Sequence, residues 1–264
     1  MSQLHLDDTG AGVPAVFVHG SFGWGLDTFP AQVDLADQYR VILVDRGGFG
    51  GSLSLDVGGW PVDMQDLAAL LEELGAAHVV GQSYGAVVAL LAAGLKPECV
   101  LSLVVIEPPA YDLARGDPDA DATSAALKPV FDGADRLSAP EFAEAWATAT
   151  GMNDERRAAW TEAFGDQDWA AAEASRRERW PGDAPIDLHA LGIATFPKIV
   201  VRGAWKPEVT GRQDGGRDFA AICHVLSTRI GARSVVFDRS SHNPQLQEPE
   251  AFNHLLREVW RQQA

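Results

Sequence analysis

Cysteine and positive charge are the two things this sequence has little of. Two cysteines occur in 264 residues, Cys99 and Cys223, far apart. That excludes the disulfide framework that staples small secreted domains. Cys99 opens an apolar run and reads as a small buried hydrophobe. Neither C-x-x-C nor H-E-x-x-H spacing occurs, so no metal or other cofactor is expected. Lys and Arg together number 21 against 37 Asp and Glu, a formal net charge of −16. Phosphate backbones and anionic membrane surfaces are both held by clustered cations, so neither nucleic acid nor a membrane is an expected partner. No apolar run approaches the ~18 residues of a spanning helix. Asp7 and Asp8 stand where a signal peptide carries basic residues, and no apolar segment follows, so a soluble cytoplasmic protein is expected. Composition says nothing of oligomeric state.

What the chain does have is apolar residues, 46% of the total, enough for one sizeable core. Short continuous apolar runs at 14–18, 40–44, 78–80 and 101–106 read as strands buried on both faces, and 196–201 and 234–237 resume the pattern. Helical spacing separates them: Met64, Leu67, Leu70 and Leu71 within 61–74, an Ala/Leu-rich stretch over 84–95, then 218–230 and 248–260. Alternation of this kind predicts an α/β fold with a mostly parallel sheet and right-handed crossovers. Only 13 residues precede the first of these runs, so an opening hairpin is abbreviated or absent. The stretch 112–191 contains no strand-like run. It holds Trp146, Trp160, Trp169 and Trp180 and a capping box, Ser138-Ala-Pro-Glu141. Helices are predicted from Ser138 to about Ala149, over 154–164 and over 167–180. The expected organisation is therefore a core made of 1–111 and 192–264, with 112–191 inserted as a helical cap.

Gly81-Gln82-Ser83-Tyr84-Gly85 matches G-x-S-x-G between an apolar strand and an Ala/Leu helix. A sharp turn there lifts a serine hydroxyl above the sheet, and the helix N-terminus favours developing negative charge. Ser83 is the candidate nucleophile. Upstream, the run ending in His19-Gly20-Ser21 can aim the Ser21 amide at a substrate carbonyl, with the Tyr84 amide as partner, forming an oxyanion hole. His19 itself reads as a structural histidine. His242 follows the last strand and precedes the last helix, where a base can reach Ser83. His5, His78, His189, His224 and His254 lie in less suitable places.

His19-Gly20, Asp45-Arg-Gly-Gly-Phe-Gly-Gly-Ser52, Gly81-Gln-Ser-Tyr-Gly85 and Ser241-His242-Asn243 together resemble the α/β-hydrolase family in its usual order. The resemblance spans the chain and implies a lid, at 112–191, over a pocket at the carboxyl ends of the strands. It also implies that 45–52 is a structural turn with no catalytic role. The chain departs from the family at the orienting acid. Gly-x-x-Asp usually follows the penultimate strand, but here the stretch reads Gly203-Ala204-Trp205-Lys206. Glu208 and Asp214 are nearby substitutes. Glu107 stands at the end of the strand after the nucleophile helix, where a charge is costly unless paired. That position resembles the acid of haloalkane dehalogenases and zearalenone lactonases, and Glu107 is the preferred candidate.

The resulting expectation is a serine hydrolase acting on an ester or lactone of an apolar small molecule, with Trp180 and Trp205 as candidate pocket walls. A C–C bond hydrolase or lyase with the same triad, or a small-molecule sensor on a hydrolase scaffold, are the alternatives. Epoxide hydrolase and haloalkane dehalogenase chemistry need Asp where Ser83 stands.

Overall fold

The computed structural model describes residues 4–53, 58–210 and 215–261. Seven strands form one sheet: β1 (Leu6–Gly10), β2 (Pro14–Val18), β3 (Arg40–Val44), β4 (Ala77–Gln82), β5 (Val100–Ile106), β6 (Lys198–Gly203) and β7 (Arg233–Phe237). Their order is β1-β3-β2-β4-β5-β6-β7, all parallel except β1, which runs antiparallel to β3 at the edge. No opening hairpin forms, although a short strand precedes β2. The chain rounds the start of β3, where Arg40 N–H donates to Val13 O at 3.0 Å, and so places β1 and β2 on opposite sides of β3.

The strands are apolar on both faces because both faces are covered. Val16, Ile42, Val79, Leu103 and Val105 pack with Leu67 and Leu71 of the Trp60–Leu74 helix, Ala89 of the Tyr84–Leu95 helix and Leu226 of the Arg217–Ile230 helix. Their neighbours Phe17, Val41, Val80 and Val104 point the other way, onto Phe29, Leu35, and Phe252, Leu256 and Trp260 of the Pro249–Arg261 helix. Each fully buried side chain of this kind contributes roughly 1.5–3 kcal/mol. Parallel strands bring all their carboxyl ends to one edge, which is where loops of this architecture carry chemistry.

Between β5 and β6 the described chain forms helices joined by short loops and no strand. Its main helices are Pro118–Asp132, Ala139–Ala149, Asp154–Glu162, Asp166–Arg176 and Leu188–Ile193. The Ser138 capping box is formed, with both reciprocal hydrogen bonds. The sequence spacing did not reveal the Pro118–Asp132 helix, because Pro129 interrupts its last turn; Asp117 caps its start through two backbone N–H groups. The helix predicted over 167–180 stops at Arg176, four residues early, because Glu178 turns inward to a buried arginine. Leu188–Ile193 spans the expected cap boundary at 191, and its Leu191 is buried in the sheet-side core. Among the described residues no helix is long and apolar enough to cross a membrane, and no cluster of His, Cys, Asp and Glu is arranged to hold a metal.

Candidate active site

Ser83 sits between β4 and the Tyr84–Leu95 helix with φ 52° and ψ −121°. A non-glycine residue held at such angles stores of order 1–3 kcal/mol, so its surroundings must enforce them. Ser83 N–H donates to Ile106 O at 2.8 Å, and the flanking glycines allow the close approach. A Cβ on Gly85 would collide with the Val18 and His19 carbonyls, and one on Gly81 would lie 2.7 Å from Ala86 Cα. The loop after β2 lies equally close, since a Cβ on Gly20 would come within 2.8 Å of Ser83 Cβ.

Glu107 follows β5 directly. It is fully buried and, like Ser83, has positive φ, 41°. Its Oε2 accepts from His242 Nδ1 at 2.7 Å. Its Oε1 accepts from Gly203 N–H at 2.9 Å and from Trp205 Nε1–H at 2.8 Å. With Nδ1–H on the carboxylate, the neutral imidazole keeps Nε2 as its lone-pair nitrogen. The ring is further held by stacking on Phe219, centroids 4.7 Å apart. Asp218, beside Phe219, is a second carboxyl near the pair; burial and then the Glu107 charge raise it above the ordinary aspartate range, while His242 lowers it.

The other acids are elsewhere. Glu208 is exposed, Lys206 Nζ lies 3.3 Å from Asp238 at the surface, and Asp214 falls outside the described residues. Trp205 stands on β6's exit with φ 52°, half-buried, its indole covering Gly216 so closely that a Cβ there would strike the ring. Its contact is with the acid. Trp180 is buried, stacked on Tyr111 at 5.3 Å and edge-on to Phe131 at 5.4 Å. It lines a groove of about 410 Å³ with Trp60, Phe131 and Arg176 to Arg179, whose walls include none of Ser83, Glu107 and His242.

Sequence reading missed two groups of residues. Gln82 Nε2 donates to Asn243 Oδ1 at 2.9 Å, tying the residue before Ser83 to the one after His242. A second group gathers around Arg46, which is fully buried. Its guanidinium donates to His19 O at 3.0 Å, Gly20 O at 2.8 Å, Asp63 Oδ2 at 2.8 Å and Glu178 Oε1 at 2.5 Å, and it lies over the Phe49 and Tyr84 rings. Glu178 Oε2 accepts from Ser21 Oγ at 2.5 Å. Burial pushes the Glu178 carboxyl up to about 7, against the pull of Arg46 and Ser21. Two carboxylates therefore share one buried cation. His19 accepts from Arg46 N–H at Nε2 (3.0 Å), so its proton sits on Nδ1, which donates to Gly20 O at 2.7 Å. Burial, then Arg46, hold its pKa well below the usual value. Asp45 accepts from the Gly25 and Gly51 N–H groups at 2.7 and 2.8 Å, which makes 45–52 a braced turn. Arg46 and Glu178 carry no local sequence signal, because they lie 132 residues apart.

Comparison with known proteins bears on the fold of this site. The family described as "Alpha/beta hydrolase family" matches residues 15–255. The chain belongs to the alpha/beta hydrolase family. Within it, this chain is 37% identical over 110 residues to BpoC of Mycobacterium tuberculosis, whose name assigns it to the non-heme bromoperoxidases; the match takes in 40% of this chain and 42% of BpoC. It is 28% identical over 271 residues to the pimeloyl-[acyl-carrier protein] methyl ester esterase of Aeromonas hydrophila, covering 96% of this chain and 98% of that enzyme. An esterase from Thermogutta terrifontis superposes with a TM-score of 0.71 at 23% identity, over 98% of this chain and 93% of that one, a likeness of fold.

Proposed function

We propose that this hydrolase is a serine esterase or lactonase that cleaves a carboxylic ester of an apolar small molecule through an acyl-enzyme. The observation that carries the reading is the buried Glu107 carboxylate bonded to His242 Nδ1 at 2.7 Å, across the strand ends from a serine held at φ 52°. Ser83 is the nucleophile, His242 the base and Glu107 the acid that fixes the tautomer and balances the imidazolium.

Ser83 Oγ attacks the ester carbonyl carbon while its proton passes to His242 Nε2. The carbonyl oxygen becomes an oxyanion and accepts from the Ser21 and Tyr84 amides, each such donor being worth about 10²–10³ in rate. Collapse returns the electron pair to the carbonyl and breaks the bond to the alkoxy oxygen, which takes the proton from Nε2 and leaves as an alcohol. Water, deprotonated by the same nitrogen, then hydrolyses the Ser83 ester to the carboxylic acid. The segment 112–191 acts as the cap. Its Phe142, Trp146 and Trp160 surround Phe22, beside Ser21, with centroids 5.8, 4.9 and 5.2 Å away, and favour an apolar acyl or alcohol group. The esterase named among the relatives supports an ester as substrate.

Hydrolysis of an aryl ester, together with labelling by a serine-directed phosphonate, tests this reading. Ser83→Ala and His242→Ala are each expected to remove nearly all turnover with the fold intact, because the group acts as a unit. Labelling should occur on Ser83. Folded Ser83→Ala protein that keeps more than roughly a few per cent of wild-type kcat rejects the assignment.

A further inference from the structure

The end of the cap's Asp166–Arg176 helix and the residues after it make four hydrogen bonds to the loop after β2, the residue after Ser83 and Trp60. Ser175 Oγ accepts from Phe22 N–H at 2.8 Å. Glu178 Oε2 accepts from Ser21 Oγ at 2.5 Å. Arg179 O accepts from the Tyr84 hydroxyl at 2.9 Å, and Trp180 O from Trp60 Nε1–H at 3.2 Å. The two side chains involved are themselves constrained. Ser175 is fully buried and donates its own proton to Ala171 O at 2.9 Å, so its lone pair is aimed at Phe22. The other Glu178 oxygen is bonded to Arg46, which also grips Gly20 O.

The loop of Gly20, Ser21 and Phe22 is thus gripped from two sides, by Arg46 at the end of β3 and by Ser175 and Glu178 of the cap. Phe22 is held at φ 60°, a conformation that a side-chain-bearing residue keeps only under such restraint. Its N–H is engaged by Ser175. The Ser21 N–H is the neighbouring amide left to face an oxyanion.

We propose that Ser175 and Glu178 are positioning residues for the oxyanion hole, so that the cap must be seated for the Ser21 amide to point at the reacting oxygen. This rests on the serine-esterase reading above. Neither residue touches the reacting atoms; each acts through the backbone of 20–22. The cap is then part of the catalytic geometry as well as a cover, and loosening it costs turnover before it costs binding.

The test compares Ser175→Ala, Glu178→Gln and the control Lys128→Ala, an exposed cap residue paired with Asp132, using an aryl ester and an aryl trifluoromethyl ketone. The ketone adds to a serine hydroxyl and places an oxyanion in the hole. Ser175→Ala and Glu178→Gln should lower kcat by about 10- to 100-fold, somewhat less than outright loss of one oxyanion donor. KM should stay within about threefold, and affinity for the ketone should fall in parallel with kcat/KM. Lys128→Ala should match wild type. A purely structural role would lower the unfolding temperature and leave kcat and ketone affinity of the folded fraction unchanged, and that result overturns the proposal. If Glu178→Gln fails to fold with Arg46 left half-paired, Ser175→Ala decides alone. Wild-type kcat in the Ser175 and Glu178 variants alongside an inactive Ser83→Ala rejects the positioning role only; an active Ser83→Ala rejects the esterase reading beneath it.

Discussion

Glu107 follows the three β-branched residues that end β5, and its buried carboxylate accepts three hydrogen bonds, from His242, Gly203 and Trp205. Substitution by Gln keeps the size and part of the bonding but removes the charge that stabilises an imidazolium. On the proposed mechanism, a loss of about three to four decades in kcat is expected for Glu107→Gln. Glu208→Gln should cost less than about tenfold, since an exposed loop carboxylate contributes little. Steady-state kinetics of the two variants check this, and the reverse order of effects would return the acid to the loop after β6. Trp205 belongs to the same argument. Trp205→Phe retains a ring over Gly216 and loses only the N–H to Glu107, leaving one carboxylate bond unmade. About a tenfold fall in kcat is expected, near 1.4 kcal/mol, with KM and unfolding temperature close to wild type. Unchanged kcat would reduce the indole to a packing role.

The helices between β5 and β6 differ greatly in how they are held. Asp154–Glu162 buries none of its residues, whereas Ala171, Ala172, Ala174 and Ser175 of Asp166–Arg176 are buried, with Glu178 just beyond them sealed on Arg46. Local opening follows buried contacts and protected hydrogen bonds. Amide hydrogen exchange should therefore be graded within this segment: fastest over Asp154–Glu162, slower at 171–176, slowest in β4 around Val79. Uniform protection from 154 to 176 would mean that the segment opens as one body, and the anchoring at Ser175 would then not divide it. The same contrast explains the helix end at Arg176. Helical spacing continues past it, but extending the helix would carry Glu178 away from the buried Arg46 and leave that cation with Asp63 as its one carboxylate partner. Breaking one pair of a buried ion network costs several kcal/mol.

At the scale of the whole molecule, one contribution to the pH dependence of stability comes from a histidine in the sheet. His78 lies in β4 with Nδ1 2.8 Å from Ser102 Oγ, stacked on Trp260 with centroids 4.9 Å apart. Burial lowers its pKa from 6.5 to about 4. Between these values the unfolded chain binds a proton that the folded chain does not, so stability rises with pH through the window and is lost on acidification. For His78 alone the cost from pH 7 to pH 5 is about 2 kcal/mol. Between pH 7 and pH 5 the wild type should lose about 2 kcal/mol more stability in urea unfolding than His78→Gln, since the oppositely shifted Glu178 and the lowered His19 titrate alike in both proteins. The same pH dependence in the two would remove His78 from the account. Much else was legible in the chain itself. Continuous apolar runs separated by helical spacing determined a parallel sheet covered on both faces, because a strand buried on both sides has no polar face to alternate. G-x-S-x-G between a strand and a helix marked Ser83, because only small flanking residues let that turn pass under the neighbouring strand. The Pro118–Asp132 helix, with its internal Pro129, gave no such periodic signal. Which groups meet around the serine was decided in three dimensions. Trp205 gives its indole N–H to the Glu107 carboxylate, Trp180 stacks on Tyr111, and Arg46 draws Glu178 from 132 residues away. A buried charge must find its partner wherever the fold brings one near, and sequence separation carries no record of that choice.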